Sequence, residues 1–209
     1  MAEEAPLWPD NFLTRVEALA LLEGLNADLL ASRSATLTLE TWCRRHRLAD
    51  PPTVVARLDR SVDKPASPEQ RQRLQGGPDQ LVRFRRVRLF CGDKLLSEAD
   101  NWYVPSRLTA DMNRLLETTD TPFGKAVLGL GPTRQTFAVR KLWSPLPEGW
   151  ESLPPSSPPP AGVRLDIPDA LFVHQALLVS AEKIPFSEVT EVYQRQLLDF
   201  PAPPDPAGP

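Results

Sequence analysis

Apolar residues recur at helical spacing over residues 11–31, through Leu13, Val16, Leu19, Leu22, Leu25, Leu29 and Leu30, with Asp10 or Asn11 placed to cap the start. A second helix is predicted over 36–48, opened by Thr38, with Thr41 and Trp42 on its inner side. Residues 52–59 read as a strand, and 65–77, rich in Pro, Gln and Gly, as a loop with a helical turn. Two strand-like runs in 81–104 flank Cys91-Gly92-Asp93-Lys94, the mark of a hairpin. A short helix over 109–117 takes Thr109 as its cap, and another runs 123–128. Residues 133–143 alternate as a strand does, and 171–180 with 184–198 form a second hairpin turning at Ala181-Glu182-Lys183. Helices lead and antiparallel hairpins follow. That order predicts an α+β domain with helices packed on one face of an antiparallel sheet.

Two strands carry charge where alternation demands apolar residues. Val189, Glu191 and Tyr193 share one face of the last strand, opposite Phe186, Glu188, Thr190 and Val192. Glu191 thus points inward, where an unpaired carboxylate is costly. In the strand 81–91, Arg83, Arg85, Val87, Leu89 and Cys91 share a face; Phe84, Arg86, Arg88 and Phe90 share the other. Val87, Leu89 and Cys91 mark the Arg85 face as the inner one, and a guanidinium matches a carboxylate in bidentate fashion. An inward arginine and an inward glutamate would make a small polar site in an apolar pocket, suited to a small anion bearing a hydroxyl. The bland readings are a solvated basic strand for the arginines and, for Glu191, an edge-strand glutamate in water or a structural ion pair.

Composition narrows the classes. The 209 residues fit one domain, and 41% are hydrophobic, enough for one sizeable core. Lys+Arg total 24 against 27 Asp+Glu, a net charge of -3, which argues against a nucleic-acid binder. No apolar run reaches membrane-span length, and no apolar segment follows the acidic start Met-Ala-Glu-Glu-Ala-Pro, so the chain reads as cytoplasmic with no membrane insertion. The only cysteines, Cys43 and Cys91, read as reduced, partly buried thiols, with a single disulfide between them as the alternative. With His46 and His174 as the only histidines, no metal-ligand spacing exists. Gly129-Leu130-Gly131 is followed by Pro132 and opens no dinucleotide-binding helix. Proline is concentrated: eight lie in 145–168 and five in 201–209. The first stretch is expected to be a Pro-rich surface loop within a single domain spanning 1–200, the second a disordered tail. Either could serve as an extended ligand for a partner protein.

Four blocks, in order, resemble the chorismate pyruvate-lyase (UbiC-like) family: Ser34-Ala35-Thr36-Leu37-Thr38; Arg85-Arg86-Val87-Arg88-Leu89 with Ala99 to Pro105 behind it; Thr121-Pro122-Phe123-Gly124 followed by Thr133-Arg134; and Thr190-Glu191. The resemblance spans roughly residues 13–198. It implies a six-stranded antiparallel sheet covered by helices, a monomer, and a cofactor-free elimination that converts chorismate to 4-hydroxybenzoate and pyruvate, a step of bacterial ubiquinone biosynthesis. Carried over residue by residue, it implies Arg85 or Arg86 at the ring carboxylate, Glu191 at the hydroxyl end, and backbone groups of Leu37 and Phe123 holding the ligand. Counting back from Pro105 without a gap selects Arg86; the apolar face and the Arg-x-Val-x-Leu pattern select Arg85. Glu191 and Arg85 are then the catalytic candidates, Glu191 as proton donor to the departing enolpyruvate. Ala99-Asp100-Asn101-Trp102-Tyr103 departs from the family pattern by lacking an arginine. The alternative is therefore a non-catalytic domain that binds or senses a small aromatic or cyclic carboxylic acid on the same fold.

Overall fold

A computed structural model describes residues 7–153 and 162–203. Two helices come first. The first, α1 (Phe12–Ala31), is capped by Asn11, whose side chain accepts from the Thr14 backbone while Thr14 reaches back to Asn11. Its buried stripe is Thr14, Ala18, Leu22, Leu25 and Leu29; Leu13 and Leu30, predicted inward, face solvent. The second, α2 (Ala35–His46), starts three residues before the expected Thr38 because Ser34 takes the cap, accepting from the Leu37 N–H. Trp42 is buried as expected and Thr41 is exposed.

The remaining chain is β1 (Val54–Asp59), α3 (Pro68–Arg73), β2 (Arg83–Cys91), β3 (Lys94–Tyr103), α4 (Ala110–Thr118), α5 (Phe123–Ala126), β4 (Thr133–Lys141), β5 (Ala170–Val179) and β6 (Pro185–Gln194), with a 3-10 turn at Arg195–Leu198. The strands form one six-stranded sheet of order β1-β2-β3-β6-β5-β4, every pairing antiparallel. The fold is thus α+β, with β1 and β4 at the edges. Burial alternates along β2, with Arg85, Val87, Leu89 and Cys91 buried. These join Val54 and Ala56 of β1, Ala99 of β3 and Val189 and Tyr193 of β6 against Leu22, Leu25, Leu29, Leu39 and Trp42 of the first two helices. A neighbouring cluster packs α4 and α5 on the same sheet through Leu116, Phe123 and Val127 against Tyr103 and Leu178. Phe186, assigned to the outer face by alternation, joins this cluster beside a register irregularity in the β5–β6 pairing.

The opposite face is also covered in part. Leu74, following α3, packs with Trp102 and Val104. Arg73 grips Glu188 with two hydrogen bonds of 2.8 Å, and Glu188 is fully buried. Helices on one face only, the sequence expectation, therefore holds for α1, α2, α4 and α5 but not for α3.

One further expectation changes. Cys43 and Cys91, expected as separate thiols, are joined in a disulfide that ties α2 to β2 across 48 residues. Of the proline-rich stretch, 154–161 lie outside the described residues, as do 204–209 of the tail. On either side the chain is held: Leu146 is buried, Val163 and Leu165 bond to Asp10 and Trp8, and Ala202 donates to the Leu7 carbonyl.

Candidate functional site

Where α2 begins, the α5 segment crosses in front of the sheet and leaves a narrow hollow with about 40 Å³ of interior. Its walls are apolar: Val87, Leu89, Ala99, Val127, Leu178 and Val189. Its polar groups come from four places: Ser34 to Thr36 at the start of α2, Asn101 on β3, Arg134 on β4 and Glu191 on β6. Phe123 and Gly124 close the front.

Glu191 is nearly buried, and the cation it meets is Arg134. Arg134 Nη2 donates to Glu191 Oε2 at 2.5 Å, with side-chain exposures of 2% and 8%. The Tyr193 hydroxyl donates to the same oxygen at 3.1 Å. Arg134 Nη1 is held by Thr136 Oγ1 and the Leu29 carbonyl. Burial alone would lower the pKa of Arg134, but the Glu191 carboxylate outweighs it and holds the guanidinium above its ordinary value. Burial, reinforced by the negative charge of Glu191, pushes the Tyr193 phenol well above its usual range. Behind the pair, fully buried His174 has Nε2 against Asn26 Oδ1 at 2.7 Å; burial and the nearby Arg134 lower its pKa to about 4, so at neutral pH it is uncharged.

Both bonds to Glu191 reach one oxygen, which leaves Oε1 as an acceptor for a ligand. The α2 N-terminus supplies the opposite polarity. The first turn of a helix has backbone N–H groups without intrahelical partners, and with the helix dipole they favour an anion. Ala35 and Thr36 occupy that turn and line the hollow, and Arg33 adds a positive charge at its mouth. A small acid with an apolar body fits this polarity: carboxylate toward α2, hydrogen-bonding end toward Glu191. The space seen holds about three waters, so such a ligand enters only if the Ser34–Thr36 and Phe123–Gly124 lips part.

Of the residues singled out in the sequence, Glu191 and Phe123 line the hollow. Leu37 does not; its side chain is exposed and the lining is made by its neighbours Ser34, Ala35 and Thr36. Arg86 lies on the outer face, where Asp100 takes its guanidinium at 2.6 and 2.8 Å. Arg85 is on the inner face and 5% exposed, but it turns toward α4, donating to the carbonyls of Leu116 and Thr121, and is not among the residues lining the hollow. Asp100, which replaces an expected pattern residue, is held by Arg86 and Lys64 and serves the outer-face charge network. Sequence reasoning missed Arg134 as the partner of Glu191, although the Thr133-Arg134 pair within the resemblance contained the signal.

Among the described residues, no helix is long and apolar enough to cross a membrane. No protein-family model matches the chain. Among solved structures, the effector domain of PhnF from Mycobacterium smegmatis is similar at 11% identity and TM-score 0.48, over 78% of this chain and 88% of that one. The ligand-binding domain of a putative GntR-family transcriptional regulator from Bordetella bronchiseptica is similar at 15% identity and TM-score 0.43, over 67% and 84%. The uncharacterized protein y4mC of Sinorhizobium fredii is 52% identical over an alignment of 200 residues that covers 94% of this chain and 83% of that protein. This chain therefore belongs to the same family as y4mC.

Proposed function

We propose that the protein is a small-molecule-binding domain whose hollow takes one carboxylic acid with a compact apolar body, of the size of a hydroxybenzoate. The observation that carries this reading is the buried Arg134–Glu191 pair at the floor of an apolar hollow, facing the first turn of α2. Burying two charges in a core is seldom the cheapest way to hold a fold together. Here they leave one carboxylate oxygen, a helix N-terminus and Asn101 around a cavity otherwise lined by hydrocarbon.

Binding is better supported than elimination. A lyase of the kind the sequence resembles would need Glu191 to deliver a proton to the leaving enolpyruvate. Glu191 instead accepts from a guanidinium and a phenol on one oxygen, the arrangement of an acceptor. Arg85, the other catalytic candidate, is committed to two backbone carbonyls.

The test is titration calorimetry of the purified protein with 4-hydroxybenzoate, alongside incubation with chorismate and chromatography of the products. Saturable binding of 4-hydroxybenzoate with chorismate unchanged is the expected result. Release of 4-hydroxybenzoate and pyruvate from chorismate would replace this reading with the lyase. Failure of 4-hydroxybenzoate, benzoate and cyclohexanecarboxylate alike to bind would remove the acid-binding reading altogether.

A further inference from the structure

Asn101 differs from the other polar groups around the hollow. It is 3% exposed on the inner face of β3, and its cross-strand neighbours are Arg85 on β2 and Val189 on β6. Neither answers its amide. Val189 is hydrocarbon, and the Arg85 guanidinium is turned to the carbonyls of Leu116 and Thr121. Among the described residues, no other group hydrogen-bonds to the Asn101 side chain either. Ser97 Oγ, further along the same strand, also lacks a partner but is sealed inside the protein, whereas Asn101 lines the hollow. A buried amide ordinarily finds a protein partner, because going without one costs free energy. One left open toward an apolar hollow is a recognition group for what enters.

Glu191 is its diagonal neighbour. Ala99 is paired with Glu191, and Asn101, two residues on, with Val189. Such diagonal positions lie about 7–8 Å apart, within reach of one another's side chains. Both residues line the same hollow, so one edge of a ligand meets both. Their demands differ. Glu191 Oε1, left free by Arg134 and Tyr193, accepts one proton. The Asn101 amide donates through Nδ2 and accepts at Oδ1. A single hydroxyl has one proton to give and serves Glu191 or Asn101 Oδ1, not both.

We propose that Asn101 is a specificity-determining residue that reads a second hydroxyl, adjacent to the one that donates to Glu191, so that the preferred ligands are ring carboxylic acids with two neighbouring hydroxyls. The second hydroxyl donates to Oδ1 and accepts from Nδ2. A ligand with hydrogen at that position excludes water and leaves the amide dry, which is how a site built for a hydroxyl rejects the analogue without it. This rests on the acid-binding reading of the hollow.

Titration calorimetry of the full chain with 3,4-dihydroxybenzoate and with 4-hydroxybenzoate measures the preference with no variant needed. The dihydroxy acid is expected to bind about tenfold tighter. Asn101→Leu, close in shape and without the amide, should erase that preference through lost affinity for the dihydroxy acid, and a thermal melt of the same sample shows whether it folds. Equal or weaker binding of the dihydroxy acid by the parent, or a preference that survives in folded Asn101→Leu, would overturn the role of Asn101 while leaving the hollow an acid-binding site. Failure of both acids and of benzoate to bind would overturn this proposal together with the reading it rests on.

Discussion

Arg134 and Glu191 reach one another across the intervening strand β5: Arg134 is paired with Leu178, whereas Glu191 is paired with His174, four residues along the same strand. The guanidinium therefore lies over β5 to meet a carboxylate at 2.5 Å, away from bulk water. Neither charge has another ion-pair partner among the described residues, so each depends on the other.

That dependence sets the first prediction. Arg134→Met or Glu191→Leu alone strands a buried charge and should cost about 3–5 kcal/mol. The double replacement removes both charges and should recover most of the loss. Urea unfolding of the four proteins measures the coupling; additive losses in the double variant would show that the pair is not coupled.

The hollow's lips give a second prediction. A Cβ on Gly124 would lie 3.2 Å from Ser34 Oγ and 3.5 Å from Thr36 Oγ1. Gly124→Ala should therefore press on the α2 N-terminus where the ligand enters. We expect stability within about 1 kcal/mol of the parent and a loss of 4-hydroxybenzoate affinity, read by thermal shift and calorimetry on the same samples. Unaltered affinity would place ligand entry elsewhere.

The sheet was legible because alternation is a local property: Val87, Leu89 and Cys91 named the inner face of β2, and Val189 and Tyr193 that of β6. The choice between Arg85 and Arg86 was not settled by counting, because the β2–β3 register shifts between Leu89 and Phe90. An extra residue in the bulge moves any gap-free count from Pro105 by one, which turns a side chain to the other face. The partner of Glu191 was hidden for a different reason. Periodicity says which way Arg134 points but not how far its side chain lies across a neighbouring strand. The Cys43–Cys91 bridge and the covering of the outer face by α3 are long-range contacts that no local pattern encodes.

The disulfide closes a loop of 48 residues in sequence between α2 and β2. Chain entropy puts its effect near 4 kcal/mol, through the unfolded state. Cys43→Ala with Cys91→Ala should lower the free energy of unfolding by about that amount while leaving the far-ultraviolet circular dichroism unchanged. Equal stability of the paired variant and the parent in the absence of reductant would mean that the bond is not formed in solution.

His174 provides the pH dependence. Its folded-state pKa of about 4 lies below the ordinary 6.5 because burial and Arg134 disfavour the charged ring. The unfolded chain thus takes up a proton that the folded chain refuses between those two values. Stability linked to this group is complete above pH 6.5 and is lost as pH falls toward 4, by about 3 kcal/mol in all. His46, also held below its ordinary value by burial and by Arg45, acts in the same direction. Asp100, held low despite its burial by Arg86 and Lys64, adds its own loss only below the ordinary aspartate value of 3.8. His174→Phe removes one titration and keeps a ring between Phe172 and Tyr193, which flank the imidazole at 5.3 and 5.2 Å. Urea unfolding at pH 7.5 and pH 4.5 should show a steep decline for the parent and a shallower one for the variant. Parallel declines would mean that the buried ring does not set the acid limb, and that the ionisable groups nearer the surface do.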